Sequence, residues 1–107
     1  MSWHTVEPAS KIRVGEVLPF TVAGRRLAIG RTERGYFAMD DWCPHAGGSL
    51  GEGTLSDECV LCPIHGYAYH TLTGEGVDDG DEVRVYPVEL DGDVLRIQLD
   101  APGAERD

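Results

Sequence analysis

Two cysteine–histidine pairs, Cys43-Pro44-His45 and Cys62-Pro63-Ile64-His65, stand sixteen residues apart in a chain of 107. Two thiolates and two imidazoles offered from two short loops are the donor set of a metal site. Glycine follows each pair, Gly47-Gly48 after the first and Gly66 after the second, which suits a close backbone wrap. A structural zinc finger usually groups like ligands in one knuckle, C-x-x-C and then a pair of histidines. Here each loop supplies one of each kind, which points to an iron–sulfur centre and leaves zinc as the alternative.

The residues around the ligands extend the pattern. Cys43-Pro44-His45-Ala46-Gly47-Gly48-Ser49-Leu50 and Cys62-Pro63-Ile64-His65-Gly66-Tyr67-Ala68-Tyr69 resemble the two cluster-binding boxes of the Rieske family almost residue for residue, and Thr73-Gly74 follows as it does there. The resemblance runs from about Trp3 to Leu99. It implies one [2Fe–2S] cluster per chain, with Cys43 and Cys62 on one iron and His45 and His65 on the other. It also implies that the cluster sits at the tip of its subdomain with the two imidazole edges toward solvent.

Two departures narrow the resemblance. In the Rieske subunits of respiratory and photosynthetic complexes each box carries an extra Cys, and the two form a disulfide; the matching positions here are Gly48 and Ile64. The chain is therefore more similar to the soluble bacterial Rieske-type ferredoxins. The third loop that helps to cover the cluster, often Pro-containing in the family, here reads Gly76-Val77-Asp78-Asp79-Gly80-Asp81.

Length bounds the rest. A chain of 107 residues is expected to form a single domain, 1–107, with a cluster-binding subdomain at about 40–75 and a disordered tail at about 101–107. No apolar run is long enough to span a membrane, and the start Met1-Ser2-Trp3-His4-Thr5-Val6-Glu7 lacks the marks of a signal peptide, so a cytoplasmic monomer is expected. The third cysteine, Cys59, argues against a disulfide framework.

Charge is skewed along the chain. Residues 1–42 hold six Lys/Arg and five Asp/Glu, whereas residues 43–107 hold three and fourteen. That argues against nucleic acid, because phosphates would be repelled. It favours a basic protein surface meeting an acidic docking face drawn from Glu52, Asp57, Glu58, Asp78, Asp79, Asp81 and Glu82.

The elements that must position the ligands are strands. Val17–Ala23 and Arg26–Gly30 read as a hairpin about Gly24, and Arg34-Gly35 turns into a third strand at Tyr36–Met39. Val83, Val85, Val88 and Leu90 alternate with polar residues, Asp91-Gly92 marks a turn, and Leu95, Ile97 and Leu99 alternate again. Pro87 demands an edge or a break. Glu58–Leu61 and Tyr67–His70 flank the second box as short strands, Pro8–Arg13 reads as loop, and no internal repeat is evident. The fold expected is all-β, a small Rieske-type sandwich or barrel with a subdomain of two ligand loops.

Other residues carry narrower expectations. Cys59, beside Val60 and Leu61, reads as a small buried hydrophobe on a strand. His4 and His70 are spare imidazoles, and with so short a chain they provide no mononuclear iron site of an oxygenase. Tyr67 is expected to pack, while Tyr69 matches the family tyrosine whose hydroxyl donates to a ligand sulfur. The resemblance thus implies not an enzyme but a one-electron carrier, passing electrons from a flavin-containing reductase to a terminal oxygenase. The alternatives are the small Rieske-like subunit of an assimilatory nitrite reductase and a non-redox zinc-binding interaction module.

Overall fold

A computed structural model of the chain describes residues 3–43, 47–64, 66–77 and 82–99. Among them ten strands, all paired antiparallel, form three sheets. The first holds β1 (Trp3–Val6), β10 (Val94–Gln98) and β9 (Val88–Asp91) in that order. The second runs β2 (Glu16–Val22), β3 (Arg25–Thr32), β4 (Gly35–Asp40) and β8 (Val85–Tyr86), and the third is β5 (Thr54–Ser56), β6 (Cys59–Leu61) and β7 (Ala68–His70). No helix among the described residues is long and apolar enough to cross a membrane.

The second sheet is covered on both faces. Leu27 and Ile29 of β3 and Ala38 of β4 enter a core with Leu95, Ile97 and Val22. Their neighbours Ala28, Phe37 and Met39 point the other way, into a second core with Leu50, Val60 and Tyr69. Side chains alternate across a strand, so a strand with two buried faces is apolar at successive positions. This is why Leu27-Ala28-Ile29-Gly30 is buried without interruption. Two of the cysteines, Cys43 and Cys62, belong to the second core.

Pro87 separates β8 from β9, and the two strands join different sheets, each at an edge. The missing N–H of a proline makes this the natural place for the chain to change sheets. Pro19 is likewise on an edge strand, β2, where the turn Leu50–Glu52 is laid against it: a side-chain carbon at Gly51 would stand 2.5 Å from Pro19 Cα.

Two expectations need correction. Cys59 is on a strand but only half-buried, because the inward position of β6 is taken by Val60, which is fully buried, and Cys59 is one residue out of phase. The stretch Pro8–Arg13 is more than loop. It holds a short 3-10 turn at Ala9–Lys11, with Ala9 and Ile12 in the first core and the Tyr36 hydroxyl donating to the Ala9 carbonyl at 3.0 Å. The tail 101–107 lies outside the described residues.

The two cores make a test of the architecture. Ile29→Ala should lower the unfolding free energy by about 2–5 kcal/mol, from lost transfer energy and a residual cavity. Leu90→Ala, on the half-exposed side of β9, should change it by less than about 0.5 kcal/mol. Urea unfolding at neutral pH measures both.

Candidate metal centre

The two cysteines occupy equivalent places in two hairpin tips. In the first, Cys43 N–H donates to Gly48 O at 3.0 Å, and Gly47 N–H donates back to Cys43 O at 2.8 Å. In the second, Cys62 N–H donates to Tyr67 O at 2.8 Å, and Gly66 N–H donates to Cys62 O at 2.8 Å. Each tip is closed below by a strand pair, Trp42 opposite Ser49 and Leu61 opposite Ala68. Gly47 and Gly66 have φ of 75° and 74°, the left-handed region that glycine adopts without steric cost. The chain therefore does contain a short repeat, Cys-Pro-x-x-Gly, overlooked because its ligand spacings differ: the histidine is the third residue of one copy and the fourth of the other.

Burial brings the cysteines together. Cys43 and Cys62 are 0% and 2% exposed and lie in the same core, which the β6–β7 hairpin also lines through Val60 and Tyr69. The fully buried Tyr69 brings its hydroxyl to 3.6 Å from Cys43 Sγ, within hydrogen-bonding reach of a sulfur. A thiolate at Cys43 would accept that bond. Tyr67 is half-buried and packs on the same core, as expected of it. The two tips meet at Gly48: a side-chain carbon there would stand 3.3 Å from Cys62 Sγ and 2.8 Å from Ile64 Cδ1. Gly48 and Ile64, the positions at which this chain lacks the extra cysteines noted above, are thus in contact across the tips.

His45 and His65 lie outside the described residues, so the structure describes the thiol half of the donor set. Within that half the fit to a sulfur-bridged iron cluster is good, with two buried sulfurs on matched tips, a hydroxyl beside one of them and a side-chain-free approach at Gly48. His70 is on β7, where its Nδ1 accepts from Leu72 N–H at 3.2 Å, and His4 is on β1 of the first sheet, so neither spare histidine belongs to the tips.

Asp41 was not singled out by its sequence, yet it organises the first tip. Its carboxylate is buried, with Oδ1 accepting from Gly51 N–H at 2.7 Å and from Ser49 Oγ at 2.9 Å. Oδ2 pairs with Arg26 Nη2 at 3.1 Å. The signal available was an Asp two residues before the Cys with a Ser eight positions on, which is too short and common a pattern to stand out.

Comparison with known proteins agrees with this geometry. The Rieske [2Fe-2S] domain model matches residues 2–88. The protein named Ferredoxin CarAc of Metapseudomonas resinovorans is 36% identical over 73 residues, 67% of this chain and 68% of its own. The ferredoxin component of the naphthalene 1,2-dioxygenase system of Pseudomonas putida is 28% identical over 102 residues, 94% of this chain and 96% of its own. Among solved structures, a complex of reduced oxygenase and oxidized ferredoxin in carbazole 1,9a-dioxygenase matches with TM-score 0.80 and 29% identity, over 88% of this chain and 99% of that one. Against the cholesterol 7-desaturase of Caenorhabditis elegans, 32% identical over 79 residues, the chain spans 18% of the relative's length.

The role of Asp41 yields a prediction. Asp41→Ala leaves the Gly51 N–H, buried beneath the first tip, without its acceptor, and should destabilise the protein by about 1–3 kcal/mol. Arg26→Ala should cost less, since that guanidinium is 56% exposed and its half of the pair is screened. Urea titrations of both variants compare the two.

Proposed function

Because this chain belongs to the Rieske [2Fe–2S] domain family, we propose that it is a ferredoxin-type electron carrier, holding its cluster through Cys43, His45, Cys62 and His65. The observation that carries this reading is the pair of matched Cys-Pro-x-x-Gly tips with both sulfurs buried in one core. When bound, the cluster takes up and releases one electron at a time, in a range of about −150 to +300 mV for this ligand type. The whole chain, 1–107, serves as one cluster-carrying domain.

The chain's own residues hold and tune. Cys43 and Cys62 would hold the cluster as thiolates and His45 and His65 as neutral imidazoles, so the protein would place less negative charge on it than four thiolates do. With Cys43 a thiolate, the Tyr69 hydroxyl 3.6 Å away would donate to its sulfur and withdraw density from it, which would favour the more negative, reduced state. The likeness to ferredoxin components over nearly the full length of both chains supports a carrier that takes electrons from a flavin-containing reductase and gives them to a terminal oxygenase. It works as a monomer in the cytoplasm, where thiols stay reduced.

Visible and electron paramagnetic resonance spectra of the purified protein test the reading. A [2Fe–2S] signature that reduces reversibly by one electron is expected, and a colourless protein carrying zinc would overturn it. Cys62→Ala should abolish that signature, whereas Cys59→Ala, half-buried on β6, should leave it intact. Tyr69→Phe should lower the potential by about 40 mV, the equivalent of a hydrogen bond that differs by about 1 kcal/mol between redox states. Protein-film voltammetry at fixed pH, with the cluster spectrum unchanged, reads it; an equal or higher potential would leave Tyr69 a packing residue.

A further inference from the structure

Asp41 places a buried carboxylate beside a proposed ligand. Asp41 and Cys43 are both buried, while Trp42 between them turns outward and is 66% exposed. Two residues of chain span no more than about 7 Å, so a cluster held by Cys43 would stand close to this carboxylate. The backbone fixes its place from two sides: Asp41 N–H donates to Arg26 O at 3.3 Å, and Leu50 N–H donates to Asp41 O at 2.8 Å. Each side-chain partner is a donor, Gly51 N–H and Ser49 Oγ to Oδ1 and Arg26 Nη2 to Oδ2. Three donors fit an ionised carboxylate, which can only accept.

The ion pair with Arg26 is lopsided. Side-chain exposure is 56% for Arg26 and 7% for Asp41. Water and salt screen the cation, whereas the buried anion is screened much less. A cluster held at Cys43 would therefore meet the pair as a net negative charge. One-electron reduction makes the cluster more negative, which a nearby fixed anion opposes and a cation favours.

We infer that Asp41 sets the potential of the centre: its buried negative charge holds the reduction potential down and makes the reduced carrier a stronger donor, with Arg26 offsetting part of the effect. The inference rests on the electron-carrier reading and adds how this chain tunes its driving force. Tyr69 would act on the Cys43 sulfur in the opposite sense, so the potential is set between a hydroxyl that favours reduction and a carboxylate that opposes it. Asp41 is distinct from the acidic docking face expected from the charge skew. Of those seven carboxylates, Asp78, Asp79 and Asp81 lie outside the described residues, and Asp57 and Glu58 line a separate pocket beside Arg34 and Val14.

Protein-film voltammetry of the holoprotein at fixed pH tests this, with the electron paramagnetic resonance spectrum of the reduced state as a check on the cluster. Asp41→Asn keeps an oxygen to accept from Gly51 and Ser49 but removes the charge. It should favour reduction by about tenfold, a potential about 59 mV higher, with the spectrum unchanged. Arg26→Gln should shift the equilibrium the opposite way, by about threefold at low ionic strength and less as salt rises, because that side chain is exposed. Loosening of the tip alone would not give opposite signs from two residues in contact. An equal or lower potential in Asp41→Asn, or the same sign from both variants, would overturn the role of the charge. So would a changed spectrum at an unchanged potential, which would leave Asp41 holding the tip only. Should Asp41→Asn fail to fold, an equal or higher potential in Arg26→Gln overturns the role by itself, and a lower one that recovers with salt supports it. A reversible [2Fe–2S] signature in the wild type beside any adverse result leaves the carrier reading standing; absence of that signature ends the carrier reading and this inference with it.

Discussion

The rest of the structure depends on burying two cysteine sulfurs at the tips of loops. A tip is where backbone groups normally turn to water, and a buried N–H or C=O without a partner costs about 1–3 kcal/mol. The chain meets that demand by giving each cysteine's N–H and C=O a partner inside its own tip, through Gly48 and Gly47 in one and Tyr67 and Gly66 in the other. The same hydrogen bonds fix the cysteine backbone, so the sulfur's position follows from the hairpin and needs no further device. Beneath the tips, Trp42 opposite Ser49 and Leu61 opposite Ala68 carry this register down into the sheets.

The second core then serves two purposes at once. Cys43, Cys62 and Tyr69 pack with Ala28, Met39 and Val60, so the residues that would hold and tune the cluster also cover one face of the central sheet. The other face, with Ile29, Leu95 and Ile97, is a conventional sandwich core remote from the sulfurs. Stability and redox tuning are therefore separable by face of a single strand: consecutive residues Ala28 and Ile29 of β3 belong to different problems.

Much of this was legible in the sequence, and the limits have physical causes. Hairpins with strong turn signals, Gly24, Arg34-Gly35 and Asp91-Gly92, were placed to within a residue or two, and Pro87 marked the change of sheet. The strand β1 was missed because Trp3–Val6 has no alternation of its own and is ordered by pairing with β10. Cys59 was assigned to the core because its neighbours are apolar, whereas in a three-residue strand only one phase faces inward and Val60 takes it. The cysteines could be picked out by type and spacing. The setting of Asp41 could not, because it is assembled from residues brought together only by the fold.

The contact between Gly48 and Ile64 bears on how the two tips are held together. A disulfide across these positions would contribute about 2–4 kcal/mol, independent of the cluster. Here a half-exposed Ile64 lies against a glycine that leaves it room, and that apolar contact is worth no more than about 1–2 kcal/mol at this exposure. The tips are otherwise tied through their separate hairpins and through the shared core. A cluster ligated from both tips would bridge them directly, and since it binds the folded state alone its binding free energy adds to folding. A cluster so ligated would take over the tying role of a covalent bond, and the mutual position of the tips would then depend on it more than the core around Ile29 does.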